Sequence, residues 1–121
     1  MRAIVRRFHS PDAFDLDSYV PDDPEGDAIL LQVMVGSADV PGEESFDVLV
    51  CTPRWLEREV KAKGPLIGRH HLIVEATNHP EVRRFLTKII ENQAADSWEE
   101  LANRVGRIGL SEFEDYVPYR G

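Results

Sequence analysis

From Asp27 to Gly36 the chain is apolar at nearly every position. Ile29, Leu31, Val33 and Val35 alternate with Ala28, Leu30 and Met34, and only Gln32 interrupts the second series. Successive side chains of a strand point to opposite faces, so this strand is apolar on both. Such a strand belongs at the centre of a sheet, covered at least in part on both sides. The rest of the chain must supply its neighbours and its cover.

The neighbours are legible nearby. Arg2 to Phe8 reads as a short strand, and Arg2 and Arg6 on the face of Ile4 and Phe8 suit a sheet edge. Ser37 to Glu44 contains Asp39, Pro41 and Gly42, which is turn chemistry. Ser45 to Cys51 then alternates, with Phe46, Val48 and Val50 on one side, so an antiparallel hairpin is expected. Thr52-Pro53 opens a helix: the hydroxyl can accept from a free backbone N–H, and proline has no N–H to leave unpaired. Trp55, Leu56 and Val60 give that helix an apolar stripe, and Gly64-Pro65 ends it.

Gly68 to Ala76 is expected to form a further strand. Val82, Phe85, Leu86, Ile89 and Ile90 follow helical spacing within Asn78 to Asn92. Ser97-Trp98-Glu99-Glu100 has capping-box form and starts a last helix with Trp98, Leu101, Ala102 and Val105 inward. Gly106 and Gly109 break it, and Phe113 and Tyr116 are expected to anchor an edge strand or arm from Leu110 to Tyr116. Hairpin-linked strands with late helices predict an α+β fold. The expected domain is single, spanning residues 1–121, with a mostly antiparallel sheet of four to five strands and two or three helices packed against it.

Charge is distributed just as unevenly. No lysine or arginine occurs from Phe8 to Pro53, a run of 46 residues holding eleven of the 22 carboxylates. All fourteen bases lie elsewhere, so the net charge of −8 resides in one stretch. Within it, Ser10 to Gly26 holds three prolines together with Phe14, Leu16, Tyr19 and Val20, and reads as an ordered loop pinned by those apolar groups. An acidic stretch repels nucleic acid and anionic membrane and attracts a basic partner. Asp12, Asp15, Asp17, Tyr19, Asp22, Asp23, Glu25, Asp27, Glu43 and Glu44 are the candidate partner-binding residues. Phe14 and Met34 join Tyr19 as candidate apolar anchors.

Signals for chemistry are sparse. There is no phosphate-cradling glycine loop, no HExxH, no GxSxG and no CxxC. His70 and His71 are adjacent in an expected strand, so they face opposite ways and suit one metal poorly. A hydrolase site from His9, Asp12 and His71 is the remaining catalytic alternative. The acid pairs Asp22-Asp23 and Glu43-Glu44 lack the spacing of a calcium loop. No catalytic, cofactor or metal residue is assigned. Cys51 is the single cysteine, which excludes an internal disulfide and suits a small buried hydrophobe. With no signal peptide or membrane span visible, the reducing cytoplasm is the simplest compartment. Trp55 and Trp98 are expected in the core.

Several phrases occur in order along the chain. Gly42-Glu43-Glu44-Ser45-Phe46-Asp47 leads into Val50-Cys51-Thr52-Pro53-Arg54-Trp55-Leu56. Gly68-Arg69-His70-His71-Leu72-Ile73-Val74-Glu75 follows, then Asp96-Ser97-Trp98-Glu99-Glu100 and Phe113-Glu114-Asp115-Tyr116, with His9-Ser10-Pro11-Asp12 at the start. This series resembles the immunity protein 8 family of bacterial polymorphic toxin systems over nearly the whole chain. The resemblance implies a non-catalytic antidote made in the bacterial cytoplasm, encoded beside a cognate toxin and bound to it, with no catalytic residues to carry over. A nuclease domain is the toxin type that an acidic face would suit. A structural or regulatory subunit of a larger complex is the alternative binding role, and a half-exposed apolar strand face would permit a homodimer.

Overall fold

The computed structural model describes residues 1–114. The expectations for Asp115 and Tyr116 lie outside the described residues. Five strands and three helices follow in the order β1 (Ile4–His9), β2 (Ala28–Ser37), β3 (Val40–Cys51), α1 (Pro53–Lys63), β4 (His71–Ile73), α2 (Glu81–Glu91), α3 (Trp98–Val105) and β5 (Leu110–Ser111). The sheet runs β1-β2-β3-β4, with β5 beside β3. Every pairing is antiparallel except β3 with β4. The α+β expectation therefore holds, with β1 at an edge and β2 inside.

Register explains the core. Ile29 stands opposite Val50, Leu31 opposite Val48 and Val33 opposite Phe46, and all six are buried. Phe8 lies opposite Val33 and Val5 opposite Val35 on the same face. Val82, Leu86 and Ile90 of α2 and Leu101 and Val105 of α3 join those residues in one cluster. Each such side chain withdrawn from water contributes about 1.5–3 kcal/mol, which holds two helices on one sheet face. The other face is covered in part, as expected. Ala28, Leu30 and Met34 are half-buried and lie outside the core cluster.

The hairpin is tighter than the sequence suggests. Ser37 pairs with Val40, so only Ala38 and Asp39 form the turn, and Ser37 Oγ accepts from Asp39 N at 3.2 Å. Pro41 and Gly42 sit in a bulge within β3, where a missing N–H is tolerated and Gly42 takes φ +91°.

Both helix starts follow the chemistry read from sequence. Thr52 caps α1 with its oxygen accepting from Trp55 N, and Pro53 takes the first turn. Ser97 Oγ accepts from Glu100 N at 3.1 Å to cap α3. Gly64, at φ +89°, ends α1. Yet α1 buries none of its residues. Trp55 is half-buried and outside the core cluster, contrary to the core role expected of it, whereas Trp98 packs on the cluster. The helix serves as the crossover from β3 to the parallel β4. That strand is three residues long rather than nine, since only Leu49 to Cys51 of β3 face it.

Candidate functional site

The acidic segment 10–26 leaves the end of β1 and returns to the start of β2 without a helix or strand of its own. Leu16 and Tyr19 pack against the core and hold it down. Phe14 does not: its side chain is fully exposed at 110%, and Val20 is exposed as well. The pinning expected of four apolar groups thus falls to two, and the loop presents an aromatic to solvent among carboxylates.

Polar contacts complete the attachment. Asp12 Oδ2 accepts from Leu30 N at 2.8 Å. Asp27 Oδ2 accepts from Tyr19 Oη at 2.7 Å and from Thr77 Oγ1 at 2.6 Å. Thr52 Oγ1 donates to Glu25 O at 2.6 Å and accepts from Asp27 N at 3.2 Å. One buried hydroxyl therefore ties the end of the loop to the start of α1. Burial, then the Asp27 hydrogen bond, then the nearby charges of Asp27, Asp12 and Asp22 push the Tyr19 phenol well above its ordinary value.

The raised Tyr19 pKa has a pH consequence. Above about pH 10 the unfolded chain loses the phenolic proton while the folded chain keeps it. The stability Tyr19 contributes is complete below that pH and is lost as pH climbs beyond it. In urea titrations from pH 8 to 11, Tyr19→Phe is expected to flatten part of the alkaline fall. Parallel curves for the two proteins would show that Tyr19 makes no such contribution.

Residues distant in sequence neutralise much of the acidic run. Arg83 pairs with Asp17, Arg58 with Asp23 at 2.7 Å, and Arg54 stands 4.0 Å from Glu25. The Arg58 contact holds the Asp23 carboxyl below its usual range. Arg7 pairs with Glu43 at 2.6 Å. Glu44 accepts from Trp98 Nε1 at 2.7 Å and from Ser111 Oγ at 3.4 Å, bracing α3 and β5 on β3. Asp27, Glu44 and Tyr19 thus hold the fold. Asp15 closes a local turn with Ser18 and Asp17 N. Asp22 is exposed and makes no hydrogen bond or ion pair among the described residues. Met34 is half-buried and outside the core cluster.

The histidines do not converge. His9 ends β1 at one side of the sheet and His71 lies in β4 at the other, three strand spacings or about 14 Å away. That separates the hydrolase alternative of His9, Asp12 and His71. His70, at φ 61°, contacts Gly106 O through Nε2 at 2.7 Å and joins the β4 turn to α3. Among the described residues no group of three or more His, Cys, Asp or Glu could hold a metal ion. Nor is any described helix long and apolar enough to cross a membrane. Cys51 is buried, as expected, and burial pushes its thiol pKa up.

A family model described as immunity protein 8 matches residues 3–116. The chain belongs to the immunity protein 8 family. No curated protein and no solved structure matches it. Membership makes the chain an immunity protein with a cognate toxin as partner, in a family that is generally non-catalytic. The phrases that carry the resemblance are largely structural in this immunity protein: Phe46 and Cys51 are buried, Leu72 and Trp98 pack on the core, and Thr52 caps α1.

Proposed function

We propose that this immunity protein neutralises its toxin by occupancy, laying the 10–26 loop against a basic surface such as the substrate groove of a nuclease. The observation that carries the reading is a carboxylate-rich loop fastened at both ends with an exposed phenylalanine, Phe14, on it. Asp12, Asp15, Asp17, Asp22, Asp23 and Glu25 supply charge against the three arginines Arg54, Arg58 and Arg83, leaving an excess of about −3. Opposite charge speeds encounter, and desolvated apolar anchors slow release. Phe14 fits the anchor role better than Tyr19, whose hydroxyl is committed to Asp27. Glu43 contributes at the far end of the hairpin. The protein supplies no chemistry in this reading, acts in the compartment where the toxin is made, and is not a subunit of some other assembly.

The test is titration of the purified toxin domain encoded beside it. Toxin activity should fall linearly to zero at one equivalent, with a stable complex on gel filtration. Undiminished toxin activity at tenfold excess, or turnover of the toxin's substrate by the isolated chain, would reject the proposal.

A further inference from the structure

The open edge of the sheet is the second surface of note. Leu72 pairs in parallel with β3, and the bracketing bonds run from Leu49 N to His70 O at 3.0 Å and from Val74 N to Cys51 O at 2.8 Å. Parallel strands bond through alternate residues, so the N–H and C=O of Ile73 turn to the free side. Beside that edge, between β4 and α2, lies an open groove of about 1060 Å³. Its apolar wall includes Leu72, Ile73 and Phe85, with Ile73 57% and Phe85 50% exposed. Phe85 sits at a core-spaced position of α2 yet remains outside the core cluster.

Glu25, Glu75 and Glu81 line the same groove, and no lysine or arginine does among the described residues. Glu75 makes no hydrogen bond or ion pair there, while Glu81 pairs with Arg84 and Glu25 stands 4.0 Å from Arg54. Glu25 also belongs to the acidic loop, so groove and loop are continuous. Open strand edges of this kind recruit an extended segment through main-chain bonds, with pockets for its side chains.

We infer that the groove receives an extended segment of the toxin, apolar at its centre and flanked by lysine or arginine, laid along β4. This rests on the occupancy reading above and adds a second contact to it. Glu75, without an ion pair, and the acidic loop that joins the groove through Glu25 favour that occupant over a second copy of this chain, which carries −8, and over an anionic polymer.

Ile73→Lys and Phe85→Lys are surface changes that leave the buried faces intact. Each is expected to weaken binding of the co-encoded toxin domain at least about 30-fold, the scale of an anchor residue. The Ile73 amide of the wild-type protein, followed by NMR, is expected to exchange more slowly in the complex than alone. Wild-type affinity for both variants, with the Ile73 amide exchanging as before, would overturn the groove and leave the loop contact standing. Failure of the wild-type chain to bind would overturn both. A toxin-free dimer dissolved by Ile73→Lys would assign the groove to self-association instead.

Discussion

Replacing Thr52 with valine is expected to destabilise the protein by about 3 kcal/mol, lowering the melting temperature by roughly 10 °C. The shape is nearly unchanged, so packing is not the cause. The Thr52 oxygen donates to Glu25 O at 2.6 Å and accepts from Asp27 N at 3.2 Å and Trp55 N at 3.3 Å. Valine removes all three partners at a site that is almost wholly buried. A lost helix cap alone costs about 1 kcal/mol, and each buried group left unpaired costs about as much again. Thr52→Ser keeps the oxygen and should fall within about 1 kcal/mol of wild type. The comparison is made by thermal or urea denaturation. Equal stability of the valine and threonine forms would mean that solvent reaches these groups. The same hydroxyl fastens the acidic loop, so the valine variant should also bind toxin less well than its residual stability alone requires.

Reversing charge on the loop should have the larger effect on association. Asp15, Asp22 and Glu25 changed together to lysine are expected to slow association with the toxin domain about a hundredfold at low salt. None of the three side chains is buried. Glu57, Glu59 and Glu99 changed to lysine alter net charge equally, on α1 and α3 rather than on the loop. Their effect should stay within about threefold, because screening confines each charge to about 10 Å. Equal slowing by both triples, measured by stopped-flow, would mean that net charge matters and location does not.

What the sequence reveals of this protein is what local pattern can encode. The buried faces of β2 and α2 follow from period two and period 3.6, and the caps at Thr52 and Ser97 from chemistry within three residues. The stripe Trp55, Leu56 and Val60 has equally good helical spacing, yet no residue of α1 is fully buried. Spacing marks an apolar face but not whether the fold brings a partner to it. The length of β4 fails for a related reason. A strand continues only where its neighbour offers backbone, and β5 takes the edge of β3 at Phe46 and Asp47.

Electrostatics shows the same division. The lysine-free run is plain in the sequence, but Arg7, Arg58 and Arg83 reach it only after folding. Nothing local to Tyr19 marks it as a donor to Asp27, whose same oxygen also accepts from Thr77, 58 residues beyond Tyr19. Its aromatic ring between carboxylates reads equally well as an anchor for a partner. The groove beside β4 is likewise hidden in the sequence: Phe85 has the spacing of a buried α2 position, and Ile73 alternates with His71 and Glu75, so only the folded edge brings the two together.

Carboxylate footprinting of the complex tests the proposed mode of action most directly. The protein is coupled with an amine through a carbodiimide, alone and bound to the toxin domain, and each site is read by mass spectrometry. Asp15, Asp22 and Glu25 should be labelled in the free protein and shielded in the complex, while Glu57 and Glu99 label alike in both. Unchanged labelling across residues 10–26, with shielding confined to α3 or α1, would show that the toxin binds elsewhere.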